Sequence, residues 1–316
     1  MRAVDHNFAD IELPKPAPSG HDLLVKVEAV SVNPVDYKQR KQATGSRVLG
    51  WDAAGTVAAA GNEVTLFKPG DAVYYAGDVT RPGCNSEFHL VDERIVGRKP
   101  KKLDFAQAAA MPLTSITAWE AFFDRMKVQA GKRILIISGA GGVGSIGIQL
   151  AKQAGLHVIA TASRPESVAW VKELGADQIV SHKESLPAQI KAPVDYIANF
   201  SGELDAYWDA MAELVAPQGA VVAIVANQKP LAMDAVRAKS ASVCWELMFT
   251  RPRFKTPDMI EQHRLLNQVA EWLDAGKLRC TLKETLSPIS GANLRKAHER
   301  LESGTMIGKL VLKGWS

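Results

Sequence analysis

The chain up to residue 112 carries short runs in which apolar and polar residues alternate, separated by proline and glycine turns. Alternation with a period of two is typical of strands that bury one face. Three such runs cover residues 23–30, 56–58 and 71–75. Short strands at this spacing, with turns such as Lys68-Pro69-Gly70-Asp71 between them, predict a β-barrel-like domain.

Beyond residue 112 the pattern changes to apolar, strand-like runs that alternate with longer helix-like stretches. Predicted helices cover residues 114–125, 144–153, 165–174 and 259–275, and predicted strands cover residues 133–138, 157–160, 178–180, 196–198, 220–225 and 307–312. Strands that alternate with helices predict a doubly wound parallel sheet, the Rossmann type of α/β domain. We therefore expect a β-domain over residues 1–116, the parallel-sheet domain over 117–254, and a return to the first domain over 255–316.

Composition narrows the class of protein. The 316 residues are 47% hydrophobic and 23% charged with a net charge of +4, which excludes a disordered chain and argues against a nucleic-acid partner. The three cysteines stand far apart, and neither a C-x-x-C pair nor an H-E-x-x-H sequence gives a local zinc signature. The first residues lack an apolar signal core, and the longest small-and-apolar run, residues 219–226, is too short to cross a bilayer. We expect a soluble, cytoplasmic protein.

A glycine-rich turn joins the predicted strand 133–138 to the predicted helix 144–153. It satisfies G-x-G-x-x-G, a pattern that allows a tight turn, close approach of the backbone to a pyrophosphate, and close packing of helix on strand. The helix N-terminus would then direct N–H groups at the phosphates. In this context the motif predicts a dinucleotide site, with a merely tight turn as the alternative. The predicted cofactor contacts here are Gly139, Ala140, Gly141, Gly142, Val143 and Gly144.

The end of the next strand favours NADPH over NADH. A site for NADH places an acidic residue about 20 residues beyond the glycine motif, where it binds the ribose. Residues 160–164 hold no acid, whereas Ser163 and Arg164 offer a hydroxyl and a guanidinium, which suit a 2′-phosphate. His182, after the third predicted strand, could lie beside the same phosphate or the adenine. The alternatives are an ordinary loop charge for Arg164 and a surface histidine for His182.

These motifs, in this order, resemble the medium-chain dehydrogenase/reductase superfamily, and within it the quinone-oxidoreductase-like (zeta-crystallin-like, zinc-type alcohol dehydrogenase-like) branch. The matching stretches cover residues 30–36, 50–55, 67–71, 112–118, the glycine turn and residues 308–311. The resemblance implies a GroES-like β-barrel domain, a Rossmann domain and a C-terminal return to the barrel. It also implies a homodimer that pairs through an edge strand of the Rossmann sheet. Residues 242–249 are apolar enough for that strand, with a pocket-lining or core segment as the alternative.

The chain departs from the zinc-dependent members of this superfamily at their ligand positions. The resemblance places Asn33 where they have a zinc-binding cysteine, and Trp51-Asp52 where they have a His-Glu pair. Their structural zinc is held by a lobe with four cysteines, whereas the predicted first domain has Cys84 alone. A structural zinc site needs four ligands and a catalytic one about three, so we predict that no metal is bound.

Without a metal to polarise a simple carbonyl, an acceptor that spreads its own negative charge is easier to reduce. Quinones and α,β-unsaturated carbonyls meet this need, because hydride addition yields a delocalised phenolate or enolate that a few hydrogen-bond donors can stabilise. The predicted activity is therefore NADPH-dependent hydride transfer to such an acceptor. Asn33, Asp36 and Tyr37, near the position equivalent to the zinc site, are the predicted catalytic residues. For Asp36, a structural bond within its own turn is the alternative.

The resemblance implies further cofactor contacts, at the carboxyl ends of the sheet strands and in the closing strand: Thr117, Phe200, Ser201, Ile224 and Lys309. Two other functions remain open at this point. One is an alcohol dehydrogenase or carbonyl reductase that works without a metal or with a weakly bound one. The other is a non-catalytic NADPH-binding sensor.

Overall fold

The computed structural model describes residues 1–315 and divides into two compact units. The first unit comprises Met1–Ile116 and the segment from Phe249 on, and the second comprises Thr117–Met248. The chain thus rejoins the first unit at Phe249, rather than at residue 255 as the sequence predicted. Phe249 belongs to the first unit because its ring packs edge-on against Trp51, with the centroids 6.4 Å apart.

Both units combine strands and helices. The strands are β1 (Arg2–Val4), β2 (Asp10–Glu12), β3 (Asp22–Ser31), β4 (Ala53–Ala60), β5 (Ala72–Tyr75), β6 (Phe88–Asp92), β7 (Val96–Arg98), β8 (Arg133–Ile137), β9 (His157–Thr161), β10 (Gln178–Val180), β11 (Val194–Asn199), β12 (Val215–Ala223), β13 (Ser242–Trp245), β14 (Leu282–Leu286) and β15 (Lys309–Lys313). The helices are α1 (Pro34–Gln42), α2 (Phe105–Ala109), α3 (Pro112–Trp119), α4 (Gly142–Gln153), α5 (Pro165–Glu173), α6 (Leu186–Gln189), α7 (Trp208–Leu214), α8 (Asp234–Ala238), α9 (Thr250–Phe254), α10 (Glu261–Asp274) and α11 (Gly291–Glu302).

The first unit is organised around a sheet with the strand order β14-β15-β3-β4-β5-β7, in which β6 also pairs with β3. The alternation seen in the sequence of β3 buries Val25 and Val27 and leaves Lys26 exposed. The closing strand β15 pairs antiparallel with β3 and adds Leu310 and Leu312 to the same core. The predicted β-domain with a C-terminal return is therefore present.

The second unit is a six-stranded parallel sheet with the order β10-β9-β8-β11-β12-β13. Strand order runs outward from β8 on one side and outward from β11 on the other, which is the doubly wound arrangement of a Rossmann domain. The apolar runs of the sequence form its core, with Leu135, Ile159 and Ile197 fully buried. The predicted fold class is confirmed, and the strand order reverses between β8 and β11, where such sheets bind ligands beyond the carboxyl ends of their strands.

The helix predicted over residues 114–125 differs from the observed one. Helix α3 ends at Trp119, and a π-helical segment, Glu120–Arg125, follows it. Arg125 Nε lies 2.8 Å from Glu246 Oε2, and the Glu246 carboxyl also neighbours the Glu120 carboxyl. Both glutamate side chains are fully buried. Periodicity could not reveal this pairing, because Glu246 follows β13, far along the chain.

Strand β13 lies at one edge of the parallel sheet and pairs with β12. Trp245 and Leu247 in this region are 45% and 47% exposed, which is high for large apolar side chains. Exposed edge strands are templates for pairing with another chain. The homodimer through residues 242–249 stays a prediction. Among the residues that the structure describes, no helix is long and apolar enough to cross a membrane.

The Glu120–Glu246 pair predicts a pH dependence of stability. Burial, followed by the neighbouring Glu120 carboxyl, raises the pKa of Glu246 to about 9, against a weaker opposing effect of Arg125. The folded state therefore keeps a proton that the unfolded chain releases near its ordinary, lower pKa. The contribution of the protonated Glu246 to the free energy of unfolding is full below the pKa of the unfolded state. It is lost as the pH rises from there through the pKa of the folded state, by up to about 1.4 kcal/mol per pH unit.

Glu246→Gln should remove this dependence, because glutamine stays neutral. In urea unfolding at pH 6, 7, 8 and 9, we expect the wild-type free energy of unfolding to fall more steeply with pH than that of E246Q. Glu213→Gln, at an exposed position of α7, is the matched control and should parallel the wild type. Parallel curves for wild type and E246Q would show that Glu246 is ionised throughout.

Candidate active site

The glycine-rich turn after β8 is held in place by its own backbone and by the next strand. Ser138 adopts a left-handed conformation, with φ +65°, and its N–H donates to Thr161 Oγ1 over 2.9 Å. The N–H of Gly139 donates to the Thr161 carbonyl over 3.2 Å. Ala140 is buried, and its carbonyl accepts a hydrogen bond from Ser145 Oγ. The end of β9 thus fixes the turn from which α4 starts.

The start of α4 suits a pyrophosphate. Gly141 is the N-cap, and no side chain caps the helix. The N–H groups of Gly142, Val143 and Gly144 precede the first hydrogen bond of the helix, from Ser145 N–H to the Gly141 carbonyl (2.9 Å). Unsatisfied N–H groups at the start of a long helix bind anions, assisted by the helix dipole. The residues present therefore fit the phosphates of a dinucleotide.

The ends of β9 and β10 bring together the residues predicted to discriminate NADPH from NADH. Ser163 Oγ lies 3.1 Å from His182 Nε2. The pKa of His182 is lowered, first by burial and then by the positive charges of Lys183 and Arg164. The four side chains therefore form one basic group, which we call the Ser163 cluster. Lys183 was not predicted from the sequence, although it directly follows His182 in the segment after β10.

The other predicted contacts of the second unit lie along the carboxyl edge of the sheet. Phe200 and Ser201 follow β11, and Ile224 follows β12. Phe200 is buried, whereas Ser201 Oγ already donates to Asn199 Oδ1 over 2.6 Å. Thr117 is buried in α3. These positions stay predicted cofactor contacts, with Thr117 on the nicotinamide side.

In the first unit, four polar side chains form a buried group that we call the Asp52 cluster: Asn33, Asp36, Asp52 and Lys309. Each residue is at most 2% exposed. Lys309 Nζ lies 3.2 Å from Asp52 Oδ2, donates to the Val32 carbonyl over 2.9 Å, and donates to Asn33 Oδ1. An ammonium has three N–H donors, so these three partners account for all of them. The assignment of Lys309 to the cofactor stays a prediction, and in the structure its amine is bonded to these partners within the first unit.

Asp52 is the centre of this cluster. Its Oδ2 accepts a hydrogen bond from Asn33 Nδ2 (3.0 Å) as well as facing Lys309, and its Oδ1 accepts from the Leu113 N–H (3.0 Å). Its carbonyl accepts from the Ser31 N–H. From the sequence, Asp52 was expected only as a departure from the zinc-dependent pattern. The sequence does show an acidic residue directly before the apolar strand β4. A carboxylate buried at such a position needs a partner for its charge.

Asp36 has two different oxygen environments. Its Oδ2 accepts from the Asn33 N–H (2.9 Å), as an acid at the third position of a helix often does for the residue before the helix. Its Oδ1 is buried without a hydrogen-bond partner. Burial raises the pKa of Asp36 to about 7, against the opposing Asn33 hydrogen bond and the charge of Lys309, and the Asp52 carboxylate raises it further. The alternative reading of Asp36 as a residue that bonds its own turn therefore has structural support.

Tyr37 lies apart from the hydrogen bonds of the Asp52 cluster. Its ring is half-buried, and Lys41 Nζ lies 5.2 Å from the ring centroid. Burial, and then the charge of Glu302, raises the pKa of its hydroxyl. The structure brings Asn33 and Asp36 together and leaves Tyr37 beside helix α11, which carries Glu302.

The residues at the positions equivalent to the catalytic zinc site do not fit a metal. Both Asp52 oxygens and both polar atoms of Asn33 are engaged within the cluster, and the indole of Trp51 has no lone pair to offer. Within residues 1–315, no three His, Cys, Asp or Glu side chains are grouped as metal ligands. We therefore derive no metal-dependent step for this chain.

Two family models match the chain. Residues 19–101 match the alcohol dehydrogenase GroES-like domain, and residues 174–312 match the zinc-binding dehydrogenase domain. The first match confirms the GroES-like nature of the β-domain.

Known proteins resemble the chain over nearly its full length. A zinc-type alcohol dehydrogenase-like protein of Staphylococcus aureus is 45% identical over 96% of this chain and 94% of its own length. A 2-methylene-furan-3-one reductase of Solanum lycopersicum is 30% identical over 92% of this chain and 71% of its own. A solved structure from Rhizobium etli, provisionally described as a zinc-dependent alcohol dehydrogenase, is 52% identical, with a TM-score of 0.96 and coverage of 100% and 98%.

The glycine turn predicts a sharp sensitivity at Gly144. A Cβ at Gly144 would lie 2.1 Å from the Ser138 carbonyl oxygen, a backbone atom that can move only with the whole turn. Gly144→Ala should lower the free energy of unfolding by about 1–3 kcal/mol and displace the N–H groups at the start of α4. Urea unfolding and dinucleotide titration would measure both effects. Gly202→Ala is the control, because nothing lies within 4 Å of its Cβ position. Equal behaviour of the two variants would refute the close packing.

Proposed function

Because this chain belongs to the medium-chain dehydrogenase/reductase superfamily, in its quinone-oxidoreductase-like and zinc-type alcohol dehydrogenase-like branch, we propose that it is an NADPH-dependent, metal-independent oxidoreductase. Its acceptor would be a quinone or an α,β-unsaturated carbonyl. The observation that carries the proposal is the Asp52 cluster. There the Lys309 amine contacts the Asp52 and Asn33 side-chain oxygens, the atoms that would otherwise be available to coordinate a metal.

The second unit would hold the cofactor. The first-turn N–H groups of α4 would bind the pyrophosphate, and the Ser163 cluster would bind the 2′-phosphate. Thr117, Phe200, Ser201 and Ile224 would line the nicotinamide. When bound, the reduced nicotinamide supplies a hydride.

The first unit would supply polar groups and no Lewis acid. In a conjugated acceptor the charge that arrives with the hydride spreads over the whole π system, so fixed hydrogen-bond donors suffice. The Asn33 amide is oriented by Asp52 and Lys309, and the neighbouring Asp36 keeps a proton up to about neutral pH. Tyr37 offers a hydroxyl whose pKa is raised, so it remains protonated and can donate. One relative, the tomato reductase, bears a name that denotes reduction of a conjugated carbonyl.

The names of the two other relatives favour a second candidate, an alcohol dehydrogenase or carbonyl reductase. Such an activity at a saturated carbonyl calls for a metal or an equivalent electrophile. The substrate series below separates the two candidates.

The cofactor assignment predicts a preference for NADPH. Quenching of tryptophan fluorescence would follow binding, since Trp170 Nε1 is hydrogen-bonded to Ser145 Oγ near the start of α4. Arg164→Gln should weaken NADPH binding about tenfold, because one charge-assisted hydrogen bond contributes on that scale, and should leave NADH binding unchanged. Lys172→Gln, on the exposed face of α5, is the matched control. Equal affinity of the wild type for both cofactors would overturn the assignment.

The acceptor assignment predicts a dependence on conjugation. But-3-en-2-one and butan-2-one share a methyl ketone and differ in the double bond. With NADPH, we expect the enone and 9,10-phenanthrenequinone to be reduced, and the saturated ketone to react about 100-fold more slowly or not at all. Dialysis against EDTA should leave these rates unchanged. Faster turnover of butan-2-one on addition of zinc would establish the alcohol dehydrogenase, and binding of NADPH without turnover of any acceptor would favour the sensor.

A further inference from the structure

The Asp52 cluster joins four separate parts of the first unit through one buried carboxylate. The Asp52 side chain contacts the Asn33 side chain at the start of α1, the Leu113 N–H at the start of α3, and Lys309 in the closing strand β15. Asp52 itself stands directly before β4. Asn33 is held from both sides, because its amide nitrogen donates to Asp52 and its amide oxygen accepts from Lys309.

We propose that Asp52 and Lys309 form a built-in ion pair that positions the Asn33 side chain, and that Lys309 acts through this pair rather than by binding the cofactor. This inference rests on the proposed function for its kinetic part only. Asp52 and Lys309 are positioning residues, since every polar side-chain atom of both already has a partner within the protein. The orientation of the Asn33 amide follows from its two charged neighbours, because one accepts and the other donates.

The pair also explains why both charges tolerate complete burial. A carboxylate or an ammonium without a partner is strongly disfavoured in a dry interior. Here Asp52 has the ammonium, an amide N–H and a backbone N–H, and Lys309 has the carboxylate and two carbonyl-type oxygens. Removal of either charge alone leaves the other uncompensated. Removal of both leaves the core neutral and Asn33 without its restraints.

The role of Lys309 is tested by binding and stability, without turnover. Lys309→Met should lower the Tm and change the NADPH dissociation constant by no more than about twofold. Lys309→Met combined with Asp52→Leu should regain part of the lost Tm, since no unpaired charge remains. A Lys309→Met variant with unchanged Tm and NADPH binding weakened about tenfold would overturn the proposal and make Lys309 a cofactor ligand.

The coupling to Asn33 is tested by a double-mutant cycle. With the accepted quinone or enone, Asp52→Asn should lower kcat about tenfold and leave the KM for NADPH unchanged, because a misplaced amide affects the reaction more than binding. In an Asn33→Ala background, Asp52→Asn should lower the Tm again but cause no further loss of kcat. Full additivity of the two losses in kcat would overturn the positioning role, since a residue acting through Asn33 has no effect once the amide is gone.

A control and a readout without catalysis complete the test. Asp22, at the other end of β3, forms a two-point ion pair with Arg81 (2.8 Å for both contacts), so Asp22→Asn should lower the Tm without changing kcat. Hydrogen–deuterium exchange of residues 31–36 should accelerate in Asp52→Asn and not in Asp22→Asn. Unchanged exchange in Asp52→Asn would refute the proposal. If the wild type reduces no conjugated acceptor, the proposed function fails, whereas exchange and stability still decide on the ion pair.

Discussion

The buried contact between Asp52 and Lys309 is the constraint on which the first unit depends. The two residues are far apart in the sequence, and each is almost completely withdrawn from water. Ionic groups can be buried in this way only when the partner and the remaining hydrogen bonds are all in place. The contact links two strands of one sheet, since β15 carries Lys309 and β4 follows Asp52. The C-terminal return of the chain to the β-domain therefore supplies both the lysine that neutralises the buried Asp52 and the apolar residues that β15 adds to the core.

The second unit depends on a different physical constraint, the satisfaction of backbone groups at the carboxyl edge of a parallel sheet. Strand β8 ends in a turn that the Thr161 side chain and carbonyl hold from β9, and α4 starts without any side-chain cap. The missing cap leaves N–H groups that an anion can satisfy. A basic cluster at the ends of the next two strands extends this surface. The same edge thus combines main-chain N–H donors with basic side chains, as the proposed NADPH site requires.

Local sequence patterns predicted the architecture well. The alternation of apolar and polar residues within strands, and of strands with helices along the chain, reflects which residues face the core. The strand at 178–180, for example, has the predicted bounds. The glycine turn was predictable for the same reason, since its conformation depends on residues that are neighbours in the sequence. Contacts between distant residues were not predictable in this way. The pairing of Asp52 with Lys309, and of Glu120 with Glu246, depends on how the sheets bring distant parts of the chain together.

The Asp52 cluster is the physical basis of the proposal that a chain related to zinc-type proteins works without a metal. A family name reflects descent, whereas metal binding depends on free lone pairs at the right positions. Here a lysine provides the positive charge within the protein itself, opposite two carboxyl groups, Asp36 and Asp52. Two carboxylates and one ammonium would leave a net negative charge in a dry interior, so the group is closest to neutral when one carboxyl keeps its proton. Burial raises the pKa of both carboxyl groups, and it raises that of Asp36 to about 7 against the Asn33 hydrogen bond and the charge of Lys309, so the proton of this group is held next to Asn33 near neutral pH.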